Sequence, residues 1–567
     1  MKRAHILSLI LFVALGGSGC KRLFGPRSLE IKPAATARAT ALAIGVAPSM
    51  DRSFERVGAL AGQLGLPFDA KAMREQAFAG MKLPANVLAG LDTNAPASVV
   101  LLPPGPKPKE PSVVVAATLK SIEAGQQIRQ AMGQAVASQL DAQGYKMEDG
   151  TSIWLWQKER QLVAAERVED IVAGAALAME SLRSSNDDLK FSVFPAAIAA
   201  SQGTDLKTWQ AKTIKELQDS MKEMSKLTPG ADKMGMAEMT GSLFALMVDR
   251  VSDLDEAGLS VALDANRGAS VVVSVVPKKG TLLASFTSQG GAYKLDPAVL
   301  GAGDPSMVAA TSAIPSLPEM WKSLVPLFAK MPKGAELTTL AEPLALALTG
   351  AGSVAVYSTK EGMKHAAVFG LTDKTKPAAY VDASLAMWNS PVLAGFYDAA
   401  GLGLKLSASR EGDVAVVQMK MDSKNLPAEQ AAAMKAIYGD KFEMAVAARD
   451  HQALMAMGQG AKERLKAMTG GTGAEPTGDL AAAVKETAGA GALLYFDIIQ
   501  FARQAMGASP AGAAMAESPT FAKLRLPLWL SFRGGERASM ELRVPSSSLR
   551  SLGAVIPMIM GMGALGQ

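Results

Sequence analysis

Cysteine is almost missing from this chain: its 567 residues include one, Cys20. An intramolecular disulfide is therefore impossible, and stability must rest on burial of apolar surface. The body of the protein also has no thiol nucleophile. Histidine is nearly as scarce, with His5, His365 and His451. The latter two stand far from each other, and there is no HExxH spacing. A zinc site takes three or four ligands, so carboxylates would have to complete one, and none is expected. A Ser-His-Asp triad would need His365 or His451 beside a marked serine, but neither GxSxG nor a supported SxxK is present. There is no GxxxxGK[ST] phosphate loop. Gly561-x-Gly563-x-x-Gly566 matches the dinucleotide fingerprint as text. It lacks the preceding strand and the following helix start that would hold a pyrophosphate, so no cofactor is expected.

Aromatic residues make up 5% of the chain, whereas Ala, Gly and Met are abundant. Such a core is built from small and flexible side chains. Charge of one sign is not concentrated: 58 Lys and Arg face 53 Asp and Glu, interspersed, for a net +5. No basic run interleaved with aromatics occurs, which argues against a nucleic-acid partner. A long uninterrupted apolar run is also missing. The most apolar stretch, Leu549 to Leu565, is broken by Pro557 and reads as a core-packed tail.

What is present is globular composition, 49% hydrophobic and 20% charged, over a length that implies two to four domains. The first residues form a distinct pattern. Met1-Lys2-Arg3 is a short basic start, and Ile6 to Leu15 is an apolar run too short to span a bilayer. Gly16-Gly17-Ser18-Gly19 offers a small-residue cleavage site directly before Cys20. These residues resemble the bacterial lipoprotein signal, although Gly17 stands where that family usually carries Leu. The resemblance covers residues 1–20 and implies cleavage before Cys20, a diacylglycerol on its thiol and an acylated amino terminus. Cys20 is then the lipid-attachment residue, and the membrane becomes a partner through the N-terminal lipid. Two or more acyl chains anchor stably, at about 0.8 kcal/mol per buried methylene. Cleavage removes Lys2 and Arg3, leaving +3 on the mature chain. Without acylation, the same signal would deliver a secreted protein.

Pro and Gly content divides the rest. Residues 20–40 read as a flexible tether. Breaks are expected at Pro103 to Pro111, 227–235, Thr469 to Gly478 and Gly507 to Ser518. Residues 54–66 and 122–140 have helical spacing. Val99 to Leu102 and Val113 to Val115 read as adjacent strands, and 258–263 with 269–276, like 526–532 with 538–544, read as hairpins.

The order of these elements recurs. The two hairpins correspond, each closing on Val-Pro. Ser98 to Leu102 answers Ser353 to Tyr357, and Val113 to Leu119 answers Ala366 to Leu371. Leu162 to Arg167 answers Met444 to Arg449, and Phe191 to Phe194 answers Leu494 to Asp497. The expected fold is α+β, with two tandem duplicated modules of mainly antiparallel sheet and packed helices. The domain reading is signal peptide 1–19, tether 20–40, first module 41–300 and second module 301–567. The Ala-rich, duplicated body is similar in make-up to uncharacterised bacterial envelope lipoproteins, a group without a known activity.

Three further patterns bear on chemistry. Asp253-x-Asp255-x-x-Gly258, with Asp264 twelfth, has part of the spacing of a calcium loop. Ala257 occupies a ligand position and 259–263 alternates like a strand, so a solvated turn before a hairpin is the stronger reading. Glu166 and Asp170 share a helical face beside Arg167, which fits a salt-bridged surface. Trp154 and Trp156 project to one side of a strand, as core residues or as a ligand platform, with core favoured.

The functional expectation is a lipid-anchored cell-envelope protein, on an outer-membrane, periplasmic or cell-surface face, with a non-catalytic binding or scaffolding role. The partner would be a hydrophobic ligand or another envelope protein. One alternative is a carrier of lipid or another hydrophobic ligand between the two modules. The other is a carboxylate-dependent envelope hydrolase.

Overall fold

The computed structural model of the chain describes residues 31–553 apart from 66–68, 74, 76–84, 105–110, 133–134, 140, 147–151, 184–187, 202–204, 227–244, 246–247, 289–290, 302, 330, 332, 360–361, 400–403, 422–441, 472, 507–515 and 517. Cys20, the signal segment and the Gly561–Gly566 motif lie outside the described residues. The chain divides into two compact units. The first contains the described residues of 31–209, 254–276 and 552–553, and the second those of 210–253 and 277–551.

The first unit begins with α1 (Ala34–Thr40), β1 (Ala43–Ala47), α2 (Met50–Gln63), α3 (Ala85–Gly90), β2 (Ala97–Leu102), β3 (Ser112–Thr118) and α4 (Ile122–Ala131). It continues with β4 (Ala137–Gln139), β5 (Ala142–Lys146), β6 (Ser152–Lys158), β7 (Gln161–Ala165), α5 (Val168–Ser181), β8 (Leu189–Val193) and α6 (Pro195–Ser201). After α7 (Leu206–Lys226), which carries the division, come β9 (Leu254–Asp264) and β10 (Gly268–Pro277). Serine caps start two of the helices: Ser49 accepts from Arg52 N at 3.1 Å and Ser121 from Ala124 N at 3.2 Å, each satisfying an orphan first-turn N–H.

Strand pairing in the first unit gives one antiparallel sheet in the order β4-β5-β6-β7-β3-β2-β1-β8-β9-β10. One face forms the main core under α5. The row Ala165, Val114, Val100, Ile44 crosses four strands and is buried. Ile171, Ala175 and Ala178 of α5 pack onto this face. On the opposite face, α3 and α4 cover Tyr145, Leu155 and Leu162 of β5 to β7 with Val87, Ala124 and Ile128.

The second unit contains α8 (Leu282–Thr287), β11 (Met307–Thr311), α9 (Leu317–Phe328), α10 (Gly334–Ala347), β12 (Leu348–Thr359), β13 (Gly362–Leu371), α11 (Pro377–Trp388) and α12 (Pro391–Ala399). Then follow β14 (Leu404–Glu411), β15 (Val414–Met421), β16 (Phe442–Arg449), β17 (Gln452–Met457), α13 (Ala461–Thr469), α14 (Gly478–Glu486), β18 (Ala492–Asp497), α15 (Ile498–Met506), α16 (Pro519–Lys523), β19 (Pro527–Arg533) and β20 (Ala538–Val544). Its sheet order is β14-β15-β16-β17-β13-β12-β11-β18-β19-β20.

This is the strand order of the first unit, element for element, so the α+β fold is a duplicated one. Register agrees as well. The buried row Ala456, Ala366, Ala355, Val308 repeats Ala165, Val114, Val100, Ile44. Ser98 and Ser353 occupy the same place, both buried and both hydrogen-bonded: Ser98 to Ala178 O at 2.6 Å, Ser353 from Asp296 N at 2.9 Å.

Four sequence expectations need correction. Residues 31–40 are not tether: Lys32 N donates to Val172 O at 3.0 Å, and α1 packs on α5 with Ala37 buried. Its small side chains, which resembled a linker in composition, are what allow that close approach. The helix expected over 122–140 ends at Ala131, and 137–139 instead pairs with 142–144 in a short hairpin. The counterpart of β7 is β17, not the Met444–Arg449 segment: both pair with the third strand of their unit and both lead into the helix over the main core. Finally, residues 291–300 pack with the second module, since Tyr293, Val299 and Leu300 belong to its core.

One backbone position shows how tightly that core is closed. Gly458, just after β17, has φ of 92°, donates to Glu443 O at 2.8 Å, and leaves only 2.3 Å between a would-be Cβ and Met363 O. A side chain there meets both strain and backbone. We expect Gly458→Ala to destabilise the second module by about 2–4 kcal/mol, read as a lower urea midpoint.

Candidate functional site: the half-open sheet faces

Each sheet has a second apolar face that, among the described residues, helices cover only in part. In the first unit the cross-strand row Val115, Val99, Gly45, Phe191, Leu259 lies on this face. In the second, the matching row is Ala367, Val354, Ala309, Leu494, Leu530, Leu542. Alternation along a strand puts every other residue on one side. These strands are apolar on both sides, so burying one face in the core leaves the other needing cover.

In the second unit α11 covers the β14–β17 half, where Val381 packs with Ala415, Val417, Met444 and Val446. On the other half, Leu494, Met540 and Leu542 are between 37% and 43% exposed, and Phe496 and Leu530 are half-buried. Phe501 of α15 lies tilted against Phe496, with ring centroids 5.4 Å apart, and is itself 41% exposed. In the first unit Leu189 and Leu259 are similarly exposed, beside half-buried Phe191. Isolated exposed leucines are ordinary. Several on one sheet face make a candidate interaction patch.

The residues singled out from sequence do not converge on this face or on any other centre. Asp253, Asp255 and Asp264 are spread along β9 and its turn, and a strand of that length separates its ends by roughly 30 Å. Asp253 pairs with Arg250 at 3.4 Å, while Asp264 accepts from Asn266 N and Arg267 N, which holds its carboxyl below the usual range. The calcium reading is thereby removed, and the described residues contain no group of three potential metal ligands. Trp156 belongs to the main core, and half-buried Trp154 packs against it. Asp170 is buried and accepts two charge-assisted bonds from Arg167 at 2.9 and 2.7 Å, a structural pair more than a solvated face. His451 lies exposed at 3.7 Å from Asp373.

His365 lies on β13, paired with Val356 and Met457. Burial, with a further contribution from Arg464, holds its pKa below the ordinary 6.5. The folded state then binds fewer protons than the unfolded chain, so its contribution is intact above about pH 6.5 and is lost as pH falls from there through the lowered folded value. Wild-type thermal midpoints should therefore fall more between pH 7.5 and 5.5 than those of His365→Gln.

No family model matches the chain, and no curated protein matches it. Among solved structures, one titled "Structure of crystal form III of TP0453" aligns at 9% identity with a TM-score of 0.23, covering 46% of this chain and 97% of that one. A likeness that slight carries no argument about fold or function.

Proposed function

We propose that this chain is a lipid-anchored protein of the bacterial cell envelope, tethered through Cys20, whose role is non-catalytic binding of a hydrophobic ligand. The observation that carries the binding role is the half-open apolar face, which occurs in equivalent positions in both modules. The lipid anchor is supported by the signal pattern ending at Cys20. Among the described residues, no helix is long and apolar enough to cross a membrane, so the anchor supplies what the described helices do not.

The non-catalytic reading is supported by how the buried acids are used. Asp170, Asp188 and Asp497 are engaged by arginine or backbone N–H groups. A general acid or base needs a proton free to exchange with substrate.

The test is displacement of N-phenyl-1-naphthylamine by lipid extract from the purified full chain. Leu494→Lys and Leu542→Lys should lower probe binding at least about tenfold by placing charges on the apolar face. An unchanged signal, or no probe binding by the wild type, rejects the binding role. Fractionation of cells carrying Cys20→Ala tests the anchor separately, with release from the membrane fraction as the expected result.

A further inference from the structure

The two modules end their sheets differently on the β4 and β14 side. In the first, the outermost strand β4 is three residues long, which leaves little edge to pair with. In the second, the equivalent strand β14 has eight residues, and all of them pair with β15. Among the described residues β15 is its one strand neighbour. An outer edge of that length is a template on which a further strand can add.

That edge carries a plug. Asn389, the residue that ends α11, donates from Nδ2 to Ala408 O at 3.0 Å and accepts at Oδ1 from Ala408 N at 3.0 Å. One side-chain amide thus satisfies both backbone groups of a strand residue, as a neighbouring strand does. Because both groups go to Asn389, Ala408 is turned away from β15. Antiparallel alternation turns the backbone groups of Leu406 and Arg410 outward as well. Asp382 of α11 pairs with Arg410, and α12, which starts two residues after Asn389, touches β14 without burying any of its described residues. Asn389 is exposed, so its two bonds compete with water and add little stability. What they change is access to the edge.

We propose that Asn389 keeps the second module from pairing β14 to β14 with a second copy of the chain. The edge is complementary to itself. An antiparallel pairing about a two-fold axis at Ala408 sets Leu406 opposite Arg410 and Ala408 opposite Ala408, and these are the residues whose backbone groups point outward. The same register sets Lys405 opposite Glu411 at both ends and Ser407 opposite Ser409, so the charges attract. The axis of this pairing falls on the residue that Asn389 bonds, and one amide therefore closes its centre. The hydrophobic-ligand role proposed above is independent of this contact.

The experiment is sedimentation velocity of the full chain under reducing conditions, over a range of concentrations, for wild type, Asn389→Ala, Asn389→Asp and the double variant Asn389→Ala/Ala408→Pro. Near-ultraviolet circular dichroism confirms folding. Asn389→Ala should strengthen self-association to a dimer at least about tenfold, because two hydrogen bonds no longer occupy the edge. Asn389→Asp, which keeps the acceptor for Ala408 N, should fall between it and wild type. Proline at 408 removes the outward N–H and leaves the ladder to β15 intact, so the double variant should return to wild-type behaviour. If folded Asn389→Ala sediments as wild type at every concentration, the proposal is overturned; Asn389→Asp decides in its place should the alanine variant not fold. Association of the double variant as strong as that of Asn389→Ala also overturns it, since the copies then meet through another surface.

Discussion

Asp497→Ala is expected to lower the stability of the second module by about 3–5 kcal/mol, the largest effect of any single change considered. The carboxylate is 1% exposed. Its Oδ1 accepts from Ile499 N at 3.1 Å, Gln500 N at 3.2 Å and Leu526 N at 3.2 Å. Its Oδ2 lies 3.7 Å from Arg525 Nε. The residue therefore caps α15, fixes the entry to β19 and neutralises an arginine at once. Alanine leaves all three N–H groups without their acceptor. For a unit of this size, the loss corresponds to a fall of about 10 °C in thermal midpoint. Asp497→Asn, which keeps one carbonyl oxygen, should lose less. Differential scanning calorimetry distinguishes the two, and equal losses would show that charge, not acceptor geometry, dominates.

Asp188→Ala should cost the first module about 3 kcal/mol. Asp188 is nearly buried before β8, and both its carboxylate oxygens lie 3.0 Å from Arg56 Nη1 of α2. Oδ2 also accepts from Leu263 N at 2.6 Å, and Ser53 donates to the backbone carbonyl at 3.3 Å. Three elements thus meet on one side chain. Because Arg56 and Asp188 neutralise each other, the double variant Arg56→Ala/Asp188→Ala should be more stable than the sum of the single losses predicts, by more than about 1 kcal/mol in urea titrations. Strict additivity would mean that the pair contributes nothing beyond its separate hydrogen bonds.

Both anchors escaped sequence reading for the same reason. A buried carboxylate looks like any other acid until the chain brings its donors together, and the donors here come from 132 residues away for Asp188 and 29 for Asp497. The duplication was more accessible. Ser98 to Leu102 and Ser353 to Tyr357 are true counterparts, as are the two terminal hairpins, because β-branched runs and turn residues are local signals. The central strands β1 and β11 were missed. AIGVA and MVAAT are short and built from small residues that suit helix or strand equally. β7 shares a Val-Ala-Ala segment with β16, but pairing with the third strand of the unit assigns β17 as its counterpart. The open faces lie on strands such as Ala97–Leu102, where Val99 and Leu101 alternate with Val100 and Leu102. A strand apolar on both sides indicates burial of both, and only the tertiary structure shows that one side remains half-uncovered.

The position of β1 has a kinetic side. It lies between β2, which follows about fifty residues later, and β8, whose first partner for Ala43 is Val193. In the second module Met307 of β11 waits likewise for Phe496 of β18. Each sheet has this interior strand made first, and its second neighbour follows about 150 residues later in the first module and about 190 in the second. Contact order is therefore high in both halves, and loop closure must be paid before the centre of either sheet is complete. Until then the strands on either side expose unpaired edges along apolar faces, a state prone to aggregation. Refolding should accordingly be slow in each module, and its yield should fall steeply as protein concentration rises.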